Sequence, residues 1–129
     1  MILIDTSAWI EFFRGGDSIA ARKVDQSLET DLVGIGDLIY CEVMQGVRFD
    51  RQKREIADIF RSLPRLEMVG FHIAEIAALN YRTLRSKGLT VRKTIDVLVG
   101  TFCAENGYTL IHCDRDFDLM APHIGLTIL

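Results

Sequence analysis

The chain has 129 residues, 49% of them hydrophobic and 26% charged, with a formal net charge of −3. This composition fits one globular domain over residues 1–129 with a full core, and it argues against a disordered chain or a general nucleic-acid coat. The longest apolar run, Val97 to Ala104, is too short to cross a membrane, and "MILID" lacks the basic region of a signal peptide, so no membrane association and a cytoplasmic location are expected.

Met1 to Ile4 reads as a short buried strand, and "DTSAWIEFF" turns into a helix with Thr6 or Ser7 as its N-cap. Ser18 to Leu28 forms a second helix. "DLVGI" is a strand, and Asp37 can cap the helix "LIYCEVMQGV" behind it. Asp50 to Ser62 is helical and ends before Pro64. "LEMV" is a further strand. Ile73 to Ser86 carries apolar residues at helical spacing and stops at Gly88. Thr94 to Asn106 is a helix closed by Gly107, "YTLIHC" a strand, residues 114–121 a short helix and "GLTIL" the last strand. Apolar strands alternating with helices predict an α/β fold, a mostly parallel sheet covered on both faces. Cys41, Cys103 and Cys113 form no C-x-x-C pair and read as reduced, buried thiols rather than a zinc site.

The acids do not follow the core. In "LIHCDRDFD" the aspartates Asp114, Asp116 and Asp118 crowd behind an apolar strand, where like charges repel unless a cation or water lies among them. Asp5 ends the first strand, so Asp5 and Asp114 share the rim where parallel sheets bind ligands. Glu42 interrupts an apolar helix beside Leu38, Ile39, Val43 and Met44, and Asp96 falls in the first turn of another. Taken singly, each acid has a local explanation: N-cap, turn, helix dipole or polar stripe. Together they fit a divalent-cation site, because Mg²⁺ takes a few hard carboxylate oxygens and keeps several waters. Such an ion activates water and stabilises charge on a phosphoryl oxygen, and the hydroxyls of Thr6 and Ser7 are placed to orient water there. From Arg82 to Lys93 there are five basic residues and no acid, leading directly to Asp96. Arg85, Lys87, Arg92 and Lys93 of this stretch are candidates for gripping a nucleic-acid backbone, against the simpler reading of a solvated helix end.

"MILIDTSAWIEFF", Glu42 in its helix after the second strand, and "RKTIDVLVGTFCAENGYTLIHCDRDFDLMA" resemble a PIN domain, and most closely a VapC-type toxin of a bacterial toxin–antitoxin pair. The likeness spans nearly the whole chain, and its specific part is the ordered set Asp5, Glu42, Asp96 and D-R-D-F at 114–117. It implies a three-layer α/β/α sandwich and an endoribonuclease dependent on Mg²⁺ or Mn²⁺. It also implies catalytic acids at Asp5, Glu42, Asp96 and Asp114, with Asp5, Asp96, Asp114 and Asp116 as the metal set. The RNA would be a tRNA or rRNA, cut to leave 5′-phosphate and 3′-hydroxyl ends. The implied partners are an antitoxin, whose basic tail enters the acidic groove, and a second copy in a homodimer. Asp118 has no counterpart and reads as solvated, with Phe117 packed under its helix.

The rivals are a metal-dependent phosphohydrolase of another class and a non-catalytic acidic interaction module. Against an aspartyl-phosphate enzyme, the first strand ends D-T-S rather than D-x-D and no lysine follows Lys93. Against a serine hydrolase, there is no G-x-S-x-G, and His72, His112 and His123 lack a matching serine; His112 reads as a packed or edge residue.

Overall fold

The computed structural model describes residues 1–129. Five strands form one sheet in the order β3-β2-β1-β4-β5, with β1 Ile2–Ile4, β2 Val33–Gly36, β3 Arg65–Leu66, β4 Thr109–Ile111 and β5 Thr127–Ile128. Every pairing is parallel, and Leu3 of β1 is in register with Gly34 of β2 and Leu110 of β4. All residues of β1 and β2 are buried. Successive strand residues point to opposite faces, so both faces of the sheet are covered, and this is why these strands are uniformly apolar.

The seven helices are α1 Thr6–Phe13, α2 Ile19–Thr30, α3 Asp37–Gly46, α4 Asp50–Arg61, α5 Phe71–Ser86, α6 Thr94–Asn106 and α7 Arg115–Ile124. Helix α1 packs on α2 and α3, and α3 on α4, while α5, α6 and α7 pack on one another. Trp9 of α1, fully buried, anchors the first group: it stacks on Phe13 and meets Phe12 and Phe60 edge-on.

From β1 the chain builds outward to β2 and β3, then returns to lay β4 and β5 on the other side of β1. The carboxyl ends of β1 and β4 therefore meet at the switch point of the sheet, where open α/β sheets take their ligands. The backbone joins there: Asp5 N–H donates to Ile111 O at 2.8 Å.

Several boundaries differ from the sequence reading. The N-cap of α1 is Asp5, whose Oδ2 accepts from Ser7 N, so Thr6 and Ser7 already lie inside the helix. Asp37 is likewise the first helical residue rather than the cap, and its Oδ1 accepts from both Leu38 N and Met68 N. That second bond turns Met68 into the core, so the third strand covers Arg65–Leu66 and not "LEMV". Helix α7 passes residue 121, because Pro122 lies in its last turn and removes only one hydrogen bond before Gly125 (φ +72°) closes the helix. Of the three cysteines only Cys103 is buried. Cys41 faces outward from α3, and Cys113 has left β4 for the turn that follows.

Candidate active site

Four elements deliver the acids. Asp5 follows β1, Glu42 lies in α3, Asp96 occupies the first turn of α6, and Asp114 caps α7, accepting from Asp116 N at 3.0 Å. The strand ends place Asp5 and Asp114, α3 places Glu42, and the approach of α6 to α7 places Asp96 and Asp116. Gly100 lies one turn after Asp96, and Met120 one turn after Asp116. A Cβ on Gly100 would lie 2.9 Å from Met120 Sδ and 3.2 Å from Ile124 Cδ1. The missing side chain lets the two helices close up directly below the pair of aspartates.

One carboxylate oxygen from each of Asp96, Asp114 and Asp116 lies within 4.8 Å of the other two. Asp96 and Asp116 are buried, and the Asp114 side chain is 19% exposed. Burial pushes the Asp96 carboxyl up from 3.8 to about 7; the charges of Asp5 and Asp114 push the same way, Lys93 opposes them, and Glu42 adds a smaller push. Asp96 Oδ2 is buried with no hydrogen-bond partner. A buried acceptor without a partner is costly, and one on a carboxylate grouped with two others fits a hard cation that takes oxygen ligands. The donor set, all carboxylate, matches Mg²⁺ or Mn²⁺ and not a soft metal.

The other predicted residues stand around this cluster. Asp5 is buried and its carboxyl is raised by that burial, against the hydrogen bonds from Ser7 and Thr6 that favour its charged form. It lies outside the tight three-carboxylate group, and its Oδ2 accepts from both the Ser7 backbone (3.0 Å) and the Ser7 hydroxyl (2.6 Å). Ser7 Oγ also accepts from Cys113 N at 2.9 Å, tying the end of β4 to the start of α1. Thr6 Oγ1 donates to Glu42 Oε1 at 2.8 Å, which turns the half-buried glutamate toward α1. The two hydroxyls expected to orient water thus hold acids.

The basic stretch separates into distinct environments. Arg85 lies over the Tyr81 ring beside an apolar groove between α5 and α6. Lys87 and Lys93 are exposed. Arg92 reaches back to the acids: its Nε donates to Asp116 Oδ2 at 3.3 Å, and its Nη2 is 3.9 Å from Asp114 Oδ1. His112 is packed as expected, tilted on Phe117, but it also does more. Its Nδ1 accepts from Asp114 N at 3.1 Å, while its Nε2 is 3.2 Å from Asp118 Oδ1. That arrangement places the ring proton on Nε2. Asp118, 66% exposed, is solvated but steadies the histidine behind Asp114.

A family model described as "PIN domain" matches residues 2–121. The chain belongs to the PIN-domain family. Within it, this PIN domain is 36% identical over 123 residues to the VapC ribonuclease Mb1587 of Mycobacterium bovis and to Ribonuclease VapC11 of Mycobacterium tuberculosis, covering 94% of this chain and 92% of each relative. Among solved structures it resembles VapBC2 from Rickettsia felis bound to a promoter DNA fragment, with a TM-score of 0.76, 18% identity and coverage of 100% and 98% of the two chains. A toxin–antitoxin complex from Klebsiella pneumoniae matches with a TM-score of 0.70, 21% identity and coverage of 91% and 90%. At these identities the structural likeness is one of fold.

Proposed function

We propose that this PIN domain, acting as a single domain, is the endoribonuclease toxin of a toxin–antitoxin pair and hydrolyses RNA phosphodiesters with Mg²⁺ or Mn²⁺. The observation that carries the metal reading is the grouping of Asp96, Asp114 and Asp116, in which Asp96 is buried and leaves its Oδ2 without a partner. The ribonuclease reading rests on the relatives of 36% identity, whose names give that activity.

Asp96, Asp114 and Asp116 would hold the cation, with Asp5 presenting Oδ1, the oxygen that Ser7 leaves unused. A divalent cation there supplies Lewis-acid activation of water and stabilises the charge that develops on the phosphoryl oxygens. The chain's own part is placement. Ser7 locks Asp5 against the end of β4, Thr6 directs Glu42, and His112 fixes the backbone of Asp114. No side-chain nucleophile is needed when water attacks phosphorus in line and the 3′ oxygen leaves, giving 5′-phosphate and 3′-hydroxyl ends. Arg92 reaches the acids from the α5–α6 connection, and with Arg85, Lys87 and Lys93 of the same exposed basic stretch it would meet the backbone of a tRNA or rRNA strand. The partners in this reading are an antitoxin protein and a second copy of the chain.

The test is cleavage of cellular RNA by purified protein with Mg²⁺, with EDTA, and with Mg²⁺ restored in excess. Cleavage should vanish and return, and the new ends should carry 5′-phosphate. RNA that stays intact in every condition, with Mn²⁺ still bound by the protein, would favour the acidic interaction module.

A further inference from the structure

Arg92 is the one cation in contact with the acidic cluster. Its side chain is 69% exposed, so the guanidinium is free to move, whereas the Asp116 side chain it touches is 6% exposed and fixed. Its two partners are two of the three carboxylates that would hold a cation. Arg92 thus neutralises part of the cluster with the chain's own charge. A guanidinium at 3.3 Å and 3.9 Å from these carboxylates is repelled by any cation they come to share. Lys93, next in sequence, is a weaker competitor: it influences the Asp96 carboxyl through its charge but forms no ion pair with the cluster.

We propose that Arg92 is a built-in counter-ion that gates metal loading, closing over Asp114 and Asp116 in the metal-free chain and swinging off them when a divalent cation binds. Release leaves a planar bidentate donor beside the acids, suited to a phosphate of the incoming strand. Arg92 thereby couples the two cargoes. It opposes the metal, and it contributes to RNA binding only after the metal has displaced it. This rests on the metal-dependent ribonuclease reading above and adds an order of events to it.

The experiment has two arms. In the first, Mn²⁺ binding to the full chain without RNA is measured by electron paramagnetic resonance for wild type, Arg92→Gln and Arg92→Lys. Removing a unit charge this close should tighten Mn²⁺ binding by roughly tenfold in Arg92→Gln. Arg92→Lys, which keeps the charge, should stay near wild type. Unchanged or weaker binding in Arg92→Gln would overturn the proposal, because Arg92 would then only support Asp116. In the second arm, binding of a mixed-sequence single-stranded RNA is measured with EDTA and with Ca²⁺ as a cation that takes the same oxygen ligands. Arg92→Gln should weaken RNA binding several-fold with Ca²⁺ and leave it unchanged in EDTA; equal losses in both conditions would overturn the displacement step. A wild-type chain that binds no Mn²⁺ would remove the metal-nuclease reading itself, an outcome separate from the failure of Arg92 alone.

Discussion

Around Asp96, burial and the charges of Asp5 and Asp114 all oppose ionisation in the metal-free chain, lifting its carboxyl from 3.8 to about 7. The folded chain therefore holds a proton on Asp96 that the unfolded chain releases between about pH 4 and 7. A carboxyl raised in this way contributes stability that is complete below the unfolded value and lost as pH rises through the folded one. In EDTA the melting temperature should therefore fall as pH climbs across this window, and Asp96→Asn should flatten the decline; parallel pH profiles for the two proteins would show that Asp96 ionises freely. Asp114 offers a second test. An asparagine at this position would still accept the α7 cap bond from Asp116 N while removing one of the repelling charges. Asp114→Asn should raise metal-free stability by up to about 1 kcal/mol and gain less on Mn²⁺ addition than wild type. Thermal unfolding across a Mn²⁺ series decides this, since a plain capping residue would leave the two metal responses alike.

Among the elements, the site depends on how closely α6 and α7 approach. Gly100 packs beneath Met120, and the two contacts lie one turn below Asp96 and Asp116. Gly100→Ala gains about 1 kcal/mol of helix propensity but forces an overpacked contact that typically costs about 1–3 kcal/mol. Net stability should change little or fall slightly, while Mn²⁺ affinity should fall by at least several-fold as the aspartates separate; an unchanged affinity would mean that Met120 absorbs the methyl group alone. The elements themselves are largely legible in the sequence, because uniformly apolar strands and helical periodicity follow directly from burial on both sheet faces. Their ends are less so. Asp37 reaches forward to Met68 N and shortens the third strand, and Asp5 takes the cap expected of Thr6 or Ser7. The Asp37–Met68 bond joins partners that only the folded chain brings together, whereas the Asp5–Ser7 bond is local and Asp5, Thr6 and Ser7 are all residue types that cap helices. Cys41 and Cys113 read as buried from their apolar neighbours in sequence, yet neighbours one residue apart point in different directions on a helix or in a turn.

For the whole molecule, the sheet order carries the function. Laying β4 beside β1 joins residues from opposite ends of the chain, so Asp5 meets Asp114 across one pair of parallel strands. The acids stand out in the sequence because each breaks an apolar pattern, and functional sites are where such conflicts are kept. Arg92 does not stand out from its basic neighbours, since nothing in a run of positive charges tells which one turns inward. The contact of His112 with Asp114 is likewise hidden, as it depends on the chain leaving the strand after Ile111. Substituting all of Arg85, Lys87, Arg92 and Lys93 by Gln should weaken RNA binding and lower the salt dependence of the binding constant, because fewer counterions are released. An unchanged slope would return the stretch to an ordinary solvated helix end.

Everything proposed for this molecule turns on Asp96, Asp114 and Asp116 holding a divalent cation together. Anomalous diffraction from a crystal soaked in Mn²⁺ shows whether they do. One strong peak should lie among these carboxylates, at about 2.0–2.3 Å from oxygens of at least two of them, and Asp96 Oδ2 should face it directly or through one water. A saturating soak that leaves this cluster without a peak, or with the ion bound elsewhere, would refute the metal site.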